Sequence, residues 1–334
     1  MDLAVVWFIL IAILFIGFFF LEGFDFGVGI LLHFLGKTDK ERRIIINTIG
    51  PFWDGNEVWL ITAGGAIFAA YPVWYATMFS GFYMALLLVL IALILRGVAF
   101  EFRSKHESII WRKIWDCAIF GSSCILSILW GIALANLIKG VPIDNKMNYV
   151  GGFFDLISFY TLIAGAATLF IFILHGAIFL SLKTEGAIEQ RALKVARRFG
   201  LYAVVIALVL IIETFVKTDL YNSKFALSTS ILAVIFLCLT WCLIRKGKAK
   251  IAMITNGLSI ALGVGSLFLG MFPRVMVSSI KPEYSLTIYN AASSHNTLLL
   301  MTKVALVFVP IVLAYQTWTY WIFRKRVTGK DLEY

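Results

Sequence analysis

The sequence predicts an all-α integral membrane protein. It is expected to have nine transmembrane helices, two four-helix bundles in pseudo-repeat plus one peripheral helix, with the N-terminus outside and the C-terminus cytoplasmic. Composition is the first ground: 61% of the 334 residues are hydrophobic, 14% are charged, and the mean hydropathy is +0.91, which no soluble domain of this length sustains. Run length is the second. The apolar stretches far exceed the roughly ten residues of a barrel strand, and only helices or closed barrels pair every backbone polar group inside lipid. The third is that Lys and Arg gather in alternate connections, the positive-inside pattern.

A spanning helix needs roughly 20 mainly apolar residues, and such windows fall at about 4–31, 51–71, 74–97, 113–138, 155–182, 200–216, 225–244, 251–272 and 297–323. The first lacks a basic leader and a small-residue cleavage site and continues through Glu22 and Asp25, so it is expected to stay in the mature chain. Lys37, Lys40, Arg42 and Arg43 follow it, whereas the next turn, Tyr71-Pro72-Val73-Trp74-Tyr75, has no charge. Arg96, Arg103, Lys105, Arg112 and Lys113 are assigned to the inner side. So are Lys183, Arg191, Lys194, Arg197 and Arg198, then Arg245, Lys246, Lys248 and Lys250, then Arg324, Lys325, Arg326 and Lys330. Lys303 falls within the last span. This topology and an anionic inner leaflet account for the net charge of +10 and leave no basic run suited to nucleic acid. Cys117, Cys124, Cys238 and Cys242 fall inside spans, where packing is their expected role.

Leu21-Glu22-Gly23-Phe24 and Leu174-His175-Gly176-Ala177 each close a long helix before a basic loop. This echo suggests a parallel repeat about an axis along the membrane normal. The organisation expected from it is a first bundle over 1–138, a second over 139–272, an extracytoplasmic connection over 273–296, and a ninth helix with a cytoplasmic tail over 297–334. The connection mixes Pro273, Pro282, Ser278, Ser279, Ser293 and Ser294 with a few apolar residues and reads as an ordered cap. Tyr71, Trp74 and Tyr75 mark one interface, and Trp318, Tyr320 and Trp321 the other.

Charge at membrane depth is costly, about 2.5–3.5 kcal/mol per residue on insertion scales, so each instance raises a functional question. Glu22 and Asp25 share a face of the first helix, with Gly23 and Gly27 permitting close helix approach. Asp54 and Glu57 repeat the spacing on the second. Asp25 lies ~15 Å from the first inner-loop lysine at 1.5 Å per residue, while Asp54 follows Gly50-Pro51 at a helix start that favours an anion. Carboxylates at graded depth suit proton transfer from the cytoplasm, with Asp54 and Asp25 favoured as carriers. The alternative is that they pair with Arg96, Arg103, Lys113 or lipid headgroups; for Glu22 and Glu57 the two readings balance, and for Asp25 and Asp54 the pairing reading is the weaker.

No metal or cofactor site is assigned to this chain. His33 and His106 lie near inner loops and His295 in the cap, leaving His175 inside a span, where hydrogen-bonded packing is the commoner role. Met84, Met253, Met271 and Met301 read as core filler.

Gly23-Phe24-Asp25-Phe26-Gly27-Val28-Gly29 and Trp53-Asp54-Gly55-Asn56-Glu57-Val58-Trp59-Leu60-Ile61-Thr62-Ala63-Gly64-Gly65-Ala66 resemble subunit II of cytochrome bd quinol oxidases. The likeness continues through Phe79-Ser80-Gly81-Phe82-Tyr83, Phe102-Arg103-Ser104-Lys105, residues 285–294 and Val309-Pro310-Ile311-Val312-Leu313. It implies a bacterial cell-membrane protein paired with a haem-bearing subunit I, which carries two haems b, haem d and the quinol site. The complex would oxidise quinol and reduce oxygen to water. A small single-span accessory subunit, membrane lipids and a structural quinone or lipid in an apolar groove are further partners that the resemblance admits. It also implies a proton route in which the aspartate of Trp-Asp-Gly-Asn is Asp54 and that of Gly-Phe-Asp is Asp25, whereas some relatives carry Gln at the Glu57 position. Two alternatives stand beside this reading: a proton-coupled secondary transporter, against which the unbroken apolar helices count, and a purely structural assembly subunit.

Overall fold

The computed structural model describes residues 2–329. Lys330, placed on the inner side above, lies outside the described residues, as does the rest of the tail beyond it. The chain is helical throughout its membrane part: α1 Leu3–Leu35, α2 Asp39–Asn47, α3 Trp53–Ala70, α4 Pro72–Gly81, α5 Tyr83–Phe102, α6 Ile109–Lys139, α7 Phe159–Lys183, α8 Gly186–Lys217, α9 Lys224–Arg245, α10 Ala249–Met271 and α11 His295–Ile322. Side-chain caps begin many of them, Asp2 on α1, Thr38 on α2, Ser158 on α7 and Ser294 on α11, each accepting a backbone N–H that the helix cannot satisfy itself.

Among the described residues, eight helices are long and apolar enough to cross a membrane. The second expected span, α3, is not one of them, because its first turns carry Asp54, Asn56 and Glu57. The third expected span, 74–97, is instead α4 and α5 meeting at Phe82, whose φ of −98° and ψ of 16° leave the helical range. Helix-type hydrogen bonds continue across it, Phe82 to Met78 and Leu86 to Phe82, both 2.8 Å, so this is a kink at Ser80-Gly81 rather than a loop. The sixth expected span, 200–216, is the apolar end of α8. The inner loop assigned before it is helical too, with Ile188, Ala192 and Ala196 buried on one face.

Helix α1 is central and packs against α3, α6, α7 and α10, while α7 packs against α6, α8 and α10. The α1–α7 crossing is backbone against backbone: a Cβ on Gly27 would overlap the Phe172 carbonyl, and one on Gly176 would overlap the main chain of Gly27. Only glycine fits there. Aromatics fill the space on either side, with Phe18, Phe19 and Phe15 edge-on to Trp130 and Phe24 stacked on Phe179 at 4.1 Å.

The 273–296 connection is ordered. Strand β1, Arg274–Met276, pairs antiparallel with β2, Leu286–Thr287, and Val141 bridges to Ser278. Helix α11 is peripheral, with Leu298 its one buried residue. Polar bonds attach it at three levels: Trp7 Nε1 to Thr302 at 3.1 Å, Trp59 Nε1 to Gln316 at 2.9 Å, and Tyr320 Oη to Asn56 at 2.8 Å.

Candidate functional site

The Gly-Phe-Asp stretch of α1 faces the Asp-Gly-Asn-Glu turn of α3. Glu22 and Asp25 are fully buried, as their shared α1 face requires. Asn56 Nδ2 donates to Asp25 Oδ2 at 2.7 Å, and Asn56 Oδ1 accepts from Tyr320 of α11. Glu22 Oε1 accepts from Arg96 Nη1, and the Arg96 guanidinium lies 4.8 Å from the Phe26 ring centre and 5.3 Å from that of Phe100.

Arg96, counted above with the inner-side bases and as a possible partner of the four acids, is fully buried within α5. A guanidinium cannot shed its charge, so at this depth it needs an anion, and Glu22 supplies one. The ion-pair reading of Glu22 is thus the geometry observed. Glu57, half-buried on α3, lies within electrostatic reach of both Arg96 and Asp54. Asp54 is exposed at the start of α3, its Oδ1 accepting the Gly55 N–H at 2.7 Å. The four acids therefore run from the exposed Asp54 through half-buried Glu57 to buried Glu22 and Asp25.

Four buried polar atoms here have no hydrogen-bond partner in the protein: Glu22 Oε2, Asp25 Oδ1, Arg96 Nε and Arg96 Nη2. Such groups are ordinarily satisfied by ordered water. Neither Asn56 nor Tyr320 was expected as a site residue from sequence, Tyr320 having been read only as an interface aromatic. Asn56 stood inside the quoted motif, but nothing local marked Tyr320 as its partner across the chain.

A second charged network lies at the basic end. Buried Asp116 of α6 accepts from Arg42 at 2.7 Å and from Arg103 at 2.5 Å, and Arg103 and Arg112 both reach Asp39 at 2.9 Å. It ties α2 to the α5–α6 connection and commits Arg103 there; among the described residues no ion pair joins Lys113 to any of the four acids.

His175 is buried where α1, α7 and α10 meet. Its Nε2 pairs with the Phe20 carbonyl and its Nδ1 with Asn256 Nδ2, both at 2.9 Å. The Phe20 carbonyl can only accept, so Nε2 carries the proton and Nδ1 accepts from Asn256. An axial metal ligand would need to give up one of these bonds. Among the described residues no three His, Cys, Asp or Glu side chains converge as a metal site.

The family model for cytochrome bd terminal oxidase subunit II matches residues 3–323. The chain is 44% identical to the cytochrome bd ubiquinol oxidase subunit 2 of Bacillus subtilis (strain 168), covering 97% of each chain. It is 38% identical to the cytochrome bd-I ubiquinol oxidase subunit 2 of Escherichia coli (strain K12), over 98% of this chain and 96% of that one. In fold it resembles a chain of the bd oxidase from Geobacillus thermodenitrificans, with a TM-score of 0.77 at 18% identity, covering 97% of this chain and 99% of that one.

Proposed function

This chain belongs to the cytochrome bd terminal oxidase subunit II family, and from that premise we propose that it is the subunit that braces a haem-bearing subunit I and feeds it protons. It is a multi-pass membrane protein and a subunit of an oxidoreductase complex of the respiratory chain. The proposed setting is the bacterial cytoplasmic membrane. There α3 and the kinked α4–α5 serve as the second and third of nine spans, the N-terminus is outside, and α1–α6 and α7–α10 form repeated bundles. The two haems b, haem d and the quinol site are assigned to subunit I. Family membership sets the transporter alternative aside.

Reduction of oxygen to water consumes protons, and taking them from the cytoplasm moves charge across the membrane. The observation that carries the proposed route is the gradient of burial from Asp54 through Glu57 to Glu22 and Asp25. In this reading Asp54 collects protons at the surface, Glu57 passes them inward, and Glu22, paired with Arg96, lies beside Asp25. Asn56 fixes one Asp25 oxygen and leaves the other to exchange a proton with water.

The test is oxygen consumption by the purified complex carrying Asp54→Asn or Asp25→Asn, beside its reduced-minus-oxidised haem spectrum. Turnover should fall about tenfold or more with haem content unchanged. Normal turnover in both variants would defeat the route, and joint loss of haem and activity would make these residues structural.

A further inference from the structure

Helices α6, α7, α8, α9 and α10 surround a cavity of about 160 Å³. It lies toward the ends away from the basic connections, with Tyr160 in the first turn of α7 and Thr214 in the last turn of α8 on its wall. Short side chains create it: Ala135, Ala164, Ala167, Ala207 and Ala233 come from four of these helices and leave a space that longer ones would fill. Leu210, Leu237 and Val264 extend the apolar wall. A void costs packing energy in proportion to its volume, so a guest of the right size is held there without any directed contact.

The hydroxyls on the wall are spent inside the protein. Ser259 donates to the Ala233 carbonyl at 2.8 Å, Ser266 to that of Gly263 at 2.7 Å and Thr168 to that of Ser127 at 2.6 Å. Thr214 donates to the Leu210 carbonyl at 2.7 Å and so accepts from Tyr160 Oη at 3.2 Å. Tyr221 has Thr214 and Ser230 as hydrogen-bond neighbours. An ordered water needs roughly two to four polar partners, and this wall does not present them together. The space amounts to roughly five waters at about 30 Å³ each, far too little for a phospholipid or a tailed quinone. An engineered cavity of about 150 Å³ with leucine, isoleucine and phenylalanine walls stays dry and takes benzene or xenon.

We propose that this cavity is a binding site for small apolar molecules, with dioxygen as its occupant in the respiring membrane. Dioxygen is neutral and has no dipole, so it passes readily from water into apolar surroundings. The proposal takes the identity of the guest from the oxidase reading above and the site from the cavity alone. No bond is made or broken there; the cavity holds the oxidase's substrate inside the membrane part of the complex.

Crystals of the purified complex pressurised with xenon test the site. One anomalous peak is expected against Ala164, Ala233 and Leu237, and Ala233→Leu, which fills the space, should abolish it. Dioxygen is tested in the oxidised complex, without quinol, carrying labelled alanine and leucine methyl groups. Dissolved dioxygen is paramagnetic, and it should relax the Ala233 and Leu237 methyls severalfold faster than those of Ala196 and Leu180, which are also buried. Absence of a xenon peak, or water or an acyl-chain end in its place, would overturn the proposal. Xenon binding without the faster relaxation would overturn dioxygen as the guest. Should Ala233→Leu fail to assemble, Ala164→Val takes its place. A complex that consumes no oxygen would defeat the oxidase reading, and the xenon peak would still decide the site.

Discussion

Asn56 donates to Asp25 across the α1–α3 contact at 2.7 Å, and because its amide nitrogen is used this way, its oxygen is left to accept from Tyr320. One amide thus orients a buried carboxylate and fastens a peripheral helix. Asn56→Leu should remove both effects. A hydrogen bond to a charged or buried group is worth roughly 1.5–3 kcal/mol, so oxygen consumption should drop about tenfold or more. Tyr320→Phe, which leaves the Asp25 bond in place, should cost less, and steady-state oxygen uptake by the two variants checks the order.

The Glu22–Arg96 pair predicts a double-mutant result. Arg96→Met leaves Glu22 buried without its cation, and breaking a buried pair from one side costs about 3–5 kcal/mol. Adding Glu22→Gln should restore most of the lost thermal stability. A double variant no more stable than Arg96→Met would show that the pair is not the source of the loss.

Gly27 and Gly176 predict a steric asymmetry within the glycines. Gly27→Ala and Gly176→Ala each drive a methyl into the facing main chain, so assembly yield and melting temperature should fall, by overpacking costs of about 1–3 kcal/mol or more. Gly64→Ala is the control, since a Cβ there meets nothing within 4 Å, and its melting temperature should match or exceed the parent's.

Glu41, on the amphipathic α2, predicts a pH dependence. Its partial burial pushes the carboxyl up, but the hydrogen bond from Arg191 and the backbone N–H groups of Lys37 and Thr38 outweigh this and hold it below the ordinary carboxylate value. A depressed folded-state value means stabilisation that is present above the unfolded value and lost as pH falls through the folded one. For a solvent-screened pair the contribution is under about 1 kcal/mol. Glu41→Gln should therefore melt slightly below the parent at pH 7, and the gap should close in acid.

How much of this was legible in the chain depends on how local each cause is. The membrane helices follow from run length, and Glu22 and Asp25 stood out because two acids in one apolar run are costly. The burial of Arg96 was not legible from counting bases by side, which ignores how far inside a helix an arginine sits; the apolar Leu93-Ile94-Leu95 before it was the available signal. The Phe82 kink was signalled by Ser80-Gly81 but hidden in an unbroken hydropathy window. Tyr320 could not be paired with Asn56 from sequence, because their meeting depends on how α11 returns to α3. The exposure of Asp54 was likewise a matter of which side of α3 the bundle covers.

The Gly27–Gly176 crossing also sets how the molecule can move. Two helices touching through their main chains have no side-chain layer to shear, and packed interfaces tend to shift between discrete arrangements rather than deform smoothly. The Phe172 carbonyl fills the place a Gly27 side chain would take, and with the backbones this close, rotation about the crossing is the softer coordinate. The crossing is a fulcrum: a tilt of α7 at the end where Lys183 sits would swing its opposite end, where Phe159 begins the helix, the other way.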